Sequence, residues 1–201
     1  MMSGEDSTTR RLILEAVVTC IEQDGIDHLT TRAIAQQAGT NIASINYHFR
    51  SKDELLAEAL TMTSEHMLED VIAAIEDRSI SLPQALADVF FYLIDGGRRF
   101  PGITTAHLYK AVVEKQYDAP GARAIRKAFD RLVDRAVDDL PDRDPAAVRF
   151  AMSQVLASIM FGMLAPNFFK VDRRYQPLDP KRCRTLAETC TGLFFAALPD
   201  R

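Results

Sequence analysis

The window from His28 to Lys52, HLTTRAIAQQAGTNIASINYHFRSK, contains Arg32, Arg50 and Lys52 and no Asp or Glu. Acids stand just outside it, at Asp24 and Asp27 before and at Asp53 and Glu54 after. A surface that meets nucleic-acid phosphates can carry cations and small donors but not carboxylates. Several of these side chains could read bases. The guanidinium of Arg32 can bridge O6 and N7 of a guanine. Ser44 and Asn46 can hydrogen-bond base edges, and Ile42 and Ala43 can touch a thymine methyl. The pattern points to double-stranded DNA as the partner.

Such side chains need a rigid platform, and the local sequence describes one. Thr30 is an N-cap whose hydroxyl can accept from a first-turn amide. Leu29 and Ile34 occupy the positions of a hydrophobic staple. Ile34, Ala35 and Ala38 give this short helix one apolar face. Gly39 ends it, because the position after a helix usually needs a left-handed backbone. Asn41 then caps a second helix from Ile42 to about Phe49. Ile45 and Phe49, four apart, share its buried side, leaving Ile42, Ala43, Ser44, Asn46 and Tyr47 outward or edge-on. Ser51 opens a third, long helix with a Ser-Lys-Asp-Glu capping box, Glu54 reaching back to the cap. The arrangement is a helix-turn-helix.

Three stretches, T-T-R-x-I-A-x-x-A-G, x-N-x-A-S-I-N-Y-H-F and S-K-D-E-L-L, resemble the DNA-binding domain of TetR-type transcriptional regulators over about residues 8–60. The resemblance implies an all-α fold. A three-helix head at 1–52 would precede a helical ligand-binding and dimerisation domain at 53–201, which begins with a long helix. It also implies that Thr31, Tyr47, His48 and Lys52 clamp the DNA backbone, each donating to phosphate oxygen. Lys52 has the added advantage of a helix N-terminus, where an anion is favoured. Two positions depart from the common pattern: Asn46 stands where many members have a second aromatic, and Ile42 where many have a polar residue. The departures bear on which bases are read, not on the motif.

Composition fits a helical regulator, with one objection. The chain has 201 residues, 47% of them hydrophobic, which is ample for a core. No apolar run approaches a membrane span in this reading, and MMSGEDSTTRR lacks the apolar stretch of a signal peptide. Cys20, Cys183 and Cys190 show no metal spacing and fit a reducing cytoplasm, with Cys183 and Cys190 as packing residues. The objection is charge. Residues 1–60 carry five Lys/Arg against nine Asp/Glu, and the chain's pI of about 5.6 is far from the basic values usual for nucleic-acid domains. All nine acids lie outside the acid-free window. Screening limits their reach to roughly 8 Å, so the local pattern outweighs the net charge.

The rest of the chain reads as helices, nine or so in all. Ser81–Gln84 has the form of a further capping box, opening a helix that stops at Gly96-Gly97. A segment from Pro101 to about Tyr117 follows, then a helix ending near Leu140. Asp144-Pro145 and Asp179-Pro180 are cap-plus-first-position signals opening the last two helices. These two are apolar on most sides. The resemblance makes them a homodimer interface, with Phe150, Val155, Ile159, Leu186, Cys190, Leu193, Phe194 and Ala197 as its residues. It also implies a small-molecule effector pocket, for which Phe90, Phe91, His107, Tyr109, Met152, Met160 and Met163 are candidates; the same residues could simply be core. Two other classes of function compete with this one. An enzyme would need more than the lone His66/Asp70 pair, since no catalytic, metal or cofactor motif is evident. A helical protein-interaction adaptor would keep the fold without reading DNA.

Overall fold

The chain is described from a computed structural model that covers residues 4–177 and 179–199. Among them are nine α-helices: α1 (Gly4–Asp24), α2 (Thr31–Gln37), α3 (Ile42–His48), α4 (Lys52–Glu76), α5 (Leu82–Arg99), α6 (Pro101–Val112), α7 (Pro120–Asp139), α8 (Pro145–Leu164) and α9 (Pro180–Ala196). Single 3-10 turns lie at Ile26–His28 and Arg173–Tyr175. No strand occurs among the described residues. The all-α expectation therefore holds.

The helices form two compact units, each with its own core. The first takes Met1–His66 together with Gly102–Arg123. Its core is built by Ile13, Val17 and Ile21 of α1, Ile34 of α2, Ile45 of α3, Phe49, and Leu55 and Ala59 of α4. Ile103 and Ala106 of α6 join that core, so the compact unit that holds residues 1–52 also takes in a segment far along the chain. Two features fasten α6. The Glu22 carboxylate accepts from the free first-turn amides of Gly102 and Ile103, at 3.1 and 2.7 Å. This is capping by a residue from another helix, and a carboxylate is the group that a helix N-terminus favours. Gly102 also lies so near the end of α1 that a Cβ there would meet the Ile21 carbonyl oxygen at 2.6 Å.

Farther along α6, His107 is buried. Thr63 donates its hydroxyl proton to the Leu60 carbonyl at 3.0 Å, and its oxygen lies 3.0 Å from His107 Nε2. Nε2 must then carry the ring proton and donate. Nδ1 is left as a buried lone pair without a partner among the described residues. Gly121 of α7 packs directly over it, and a Cβ there would meet Nδ1 at 2.4 Å. Burial lowers the imidazole pKa to about 4, so the ring is neutral at ordinary pH.

The second unit takes Met67–Pro101 and Ala124–Arg201. Val89 and Phe90 of α5, Leu132 of α7, Met152 of α8 and Phe194 of α9 are fully buried or nearly so in one cluster. The buried Arg135 of α7 closes the end of α4. Its guanidinium donates to the carbonyls of Ile75, Asp77 and Ile80 and pairs with Asp139, supplying partners for backbone acceptors that a helix end leaves open.

Three expectations are corrected here. Gly96-Gly97 does not end its helix; α5 runs through to Arg99, and Gly97 instead makes room for the Met163 side chain. Ser81 makes no side-chain cap bond, and Gln84 donates to Asp88 one turn on rather than back to the cap. Finally, α8 is long and apolar enough to cross a membrane by length and composition. Its apolar residues are interrupted by Arg149, by Ser153-Gln154 and by Ser158, so no unbroken run marks it. One face of α8 fills the core through Val148, Met152, Val155 and Ile159, and only a third of the apolar stretch is buried.

Gly102→Ala should force α1 and α6 apart against backbone that cannot yield. A loss of about 1–3 kcal/mol is expected from overpacking of this kind, read as a lower thermal midpoint than that of Gly96→Ala, where a Cβ meets open space.

Candidate nucleic-acid interface

The turn between α2 and α3 has the geometry its residues require. Thr30 accepts from the Ala33 amide at 3.1 Å, and Asn41 accepts from the Ser44 amide at 2.8 Å. Gly39 has φ +64°, and the amide of Thr40 reaches back to the Ala35 carbonyl at 2.9 Å. That closes α2 with the paired bonds of a Schellman end. At α4 the capping box is half as expected. Ser51 accepts from the Glu54 amide at 3.1 Å, but the Glu54 carboxylate takes the Arg50 amide, at 2.8 Å, instead of that of Ser51.

Ile45 and Phe49 are buried, as their spacing requires. Around them the predicted contact residues are presented together. Arg32 on α2 and Asn41, Ile42, Ala43, Asn46 and Tyr47 at α3 are exposed, with Thr31 and Ser44 half-buried. Tyr47 is 77% exposed, unusual for so large a ring. One short segment thus offers a cation, two amides, a hydroxyl, a phenol and small apolar groups on a platform without a carboxylate. This mixture suits a DNA groove and its phosphates.

Two of the expected phosphate donors are already engaged. Lys52 donates from Nζ to the Leu29 carbonyl at 2.8 Å, tying the start of α4 to the residue before the α2 cap. An ammonium has two further protons to give. His48 is turned inward, its side chain 5% exposed and its Nδ1 3.5 Å from an Asp6 carboxylate oxygen of α1. Sequence reasoning missed this role, because Asp6 is 42 positions away in the chain and nothing local marks the pairing.

The candidate effector residues divide between the two units. Phe90 and Met152 are completely buried in the second unit's core, and Phe91 and Met163 pack against it. Met160 is half-buried. Phe91 also lies under the Arg184 guanidinium, 4.2 Å from its ring centre, while Arg184 pairs with Asp88 at 2.5 Å. His107 and Tyr109 belong to the first unit.

The residues expected at a dimer interface also sort into two kinds. Val155, Ile159, Cys190 and Phe194 are buried within the chain, and Leu186 is half-buried. Phe150, at 67%, and Leu193, at 56%, are exposed, as is Ala197. Burial pushes the Cys190 thiol up, and burial together with Asp95 does the same to Cys183, consistent with packing. Of the His66/Asp70 pair, the His66 side chain lies outside the described residues. Asp70 accepts the Tyr92 hydroxyl at 2.6 Å.

A compact helix-turn-helix with an exposed, acid-free recognition surface, followed by an all-helical unit, defines a DNA-binding transcriptional regulator. Residues 13–59 match the family model for bacterial regulatory proteins, tetR family. Nucleoid occlusion factor SlmA of Vibrio campbellii is 24% identical over 88% of this chain and 92% of its own length. HTH-type transcriptional regulator BetI of Escherichia coli is 33% identical, over 47% of this chain and 46% of its own. Among solved structures, a TetR family transcription regulator from Marinobacter aquaeolei covers both chains in full at a TM-score of 0.68 and 18% identity. The transcriptional regulator FadR of Bacillus subtilis, solved in complex with stearoyl-CoA, covers 94% of this chain and 99% of its own, at a TM-score of 0.64 and 16% identity.

Lys52→Ala separates the two uses of its ammonium. A charge that neutralises a phosphate contributes about one unit to the dependence of log affinity on log salt. We expect that slope to fall by about one and the thermal midpoint to drop slightly as the Leu29 carbonyl loses its donor. An unchanged slope with the stability loss alone would leave Lys52 a purely internal tie.

Proposed function

We propose that the protein is a ligand-responsive repressor that binds a palindromic operator as a homodimer. The observation that carries the reading is the exposed, acid-free α2–α3 surface centred on Arg32, Asn46 and Tyr47. Arg32, Ser44 and Asn46 read base edges, with Ile42 and Ala43 against thymine methyls. Thr31, Tyr47 and Lys52 hold the backbone, and Asn41 both caps α3 and lies at its DNA-facing start. In a dimer, two such helices enter successive major grooves about 34–36 Å apart.

Exposure on the last two helices supports the dimer. Phe150, Ala157, Phe161 and Leu164 follow helical spacing along the outward side of α8, and all four are exposed. Leu193 and Ala197 are exposed on α9. A stripe of this kind favours a symmetric, self-complementary contact. Val155, Ile159, Cys190 and Phe194 then act from behind, as the packed floor of the interface.

Effector response is a population shift. A small apolar molecule binds more tightly to a form whose two heads no longer match the operator, and affinity falls by the difference between its affinities for the two forms, and by no more. The FadR structural neighbour, solved with stearoyl-CoA, supports an effector with a long apolar portion. Such a regulator works in the cytoplasm, where its DNA is.

The first test is a mobility shift on DNA from upstream of the protein's own gene. Arg32→Ala should weaken binding and relax one symmetric base position, since a bidentate guanine contact gives about 1–3 kcal/mol of discrimination. Equal weakening on every sequence would make Arg32 a phosphate contact. Binding equally lost to any competitor DNA would remove operator reading and favour a helical adaptor.

For assembly, Leu193→Asp or Phe150→Asp is the informative change, because both side chains are exposed in the single chain and the monomer fold should tolerate the charge. Light scattering should register monomers, with operator affinity lost in parallel. A mutant that stays dimeric would move the interface to another surface.

A further inference from the structure

The inward turn of His48 leads to a role that net charge alone would not predict. Three observations meet at this residue. Its side chain is almost wholly covered, and Nδ1 stands 3.5 Å from an Asp6 carboxylate oxygen that is itself mostly covered. Its ring meets the edge of the Tyr47 ring, with centroids 5.1 Å apart and planes at 80°. Tyr47 itself projects into solvent. On the other side, Phe49 lies under the Arg10 guanidinium at 4.8 Å, and Arg10 pairs with Glu58 of α4. The exit of α3 is therefore tied to α1 through both His48 and Phe49.

We infer that His48 is a positioning residue for DNA recognition: held by Asp6, it fixes the end of α3 and the direction in which Tyr47 meets the operator, so that an acid in the head aids the binding of a polyanion. The inference rests on the DNA-binding reading above.

The physical need is clear. α3 has seven residues, of which only Ile45 is buried, and a helix of that length is marginal in water by itself. A ring as exposed as Tyr47 must also be ordered when DNA binds, and each such side chain ordered carries an entropic cost. A neighbour that holds it in advance lowers that cost. The contact between Asp6 and His48 is largely withdrawn from water, where a polar contact is less screened than at an open surface.

The reading makes a prediction opposite in sign to bulk electrostatics. Removing an acid from a DNA-binding head lessens repulsion and should tighten binding. If Asp6 works through His48, Asp6→Asn should weaken operator binding instead, by about two- to fivefold, the range of one modest polar contact. His48→Ala should cost a similar factor, and the double variant no more than the worse single one, because both remove the same contact. His48→Asn, which keeps a nitrogen donor near Nδ1, should recover most of the affinity.

A phosphate donor would behave differently, with losses from His48→Ala and Asp6→Asn independent of each other. Tighter or unchanged binding by Asp6→Asn, or losses that add in the double variant, overturns the proposal. A second readout needs no DNA. In the free protein, the ¹⁵N resonances of the His48 imidazole and the Tyr47 ring protons should both shift on Asp6→Asn, while the resonances of Ile13 and Ile34 stay in place. Failure of the wild type to bind operator would sink the functional reading. Unmoved Tyr47 and His48 signals would sink this one by itself.

Discussion

The shortness of α3 is the constraint from which much of the head follows. Seven residues form two turns, too few to be stable in isolation, yet their exposed polar side chains are presented in one register. The head supplies an anchor for each part of that helix. Asn41 caps its start, Ile45 roots its middle, and His48 and Phe49 tie its end to α1. The same need explains the tie from Lys52 to the Leu29 carbonyl, which sets the entry to α2 from the start of α4. Rigidity here comes from several small anchors at helix ends, with a core of modest size beneath them.

The compact unit that holds the helix-turn-helix also takes in residues far along the chain. α6 is separated from α1 by more than 75 residues, yet its first amides close on Glu22 and its apolar side completes the core of the first unit. Any change in where α6 begins is therefore felt at the end of α1, within the same compact unit. His107 adds a second fixed point on α6. Its single proton is committed to Thr63, its lone pair is sealed under Gly121, and a neutral ring is the only form that this packing accommodates without burying a charge. Together, Glu22 and His107 hold both the start and the middle of α6 in the first unit.

What could be read in the sequence was what short-range chemistry controls. Thr30, Gly39, Asn41, Asp144 and Asp179 each announce a helix boundary through one or two bonds to neighbouring amides, and each does so in the structure. The apolar spacing of Ile45 and Phe49 likewise identified the buried side of α3. The Gly96-Gly97 error has the same root. Two glycines read locally as a stop, whereas Gly97 serves a partner on α8 that no local pattern reveals. Glu22, Arg135 and His48 escaped for a similar reason, since each has partners tens of positions away. Their side chains look like ordinary solvated groups until the tertiary fold brings the acceptors in.

Assembly presents the reverse case, where sequence pattern and structure each supply half of the argument. Apolar residues on most sides of α8 and α9 show that both helices need cover, but not which residues the chain covers by itself. The structure divides them. Val155, Ile159, Cys190 and Phe194 are satisfied within the second unit, whereas Phe150, Phe161 and Leu193 are not. An interface reading must rest on the second group, because a side chain already buried has no further apolar area to remove from water. Substituting Phe194 would break the core and the assembly at once and could not tell them apart. Only the exposed positions separate folding from association, and they are the ones a symmetric partner would have to meet.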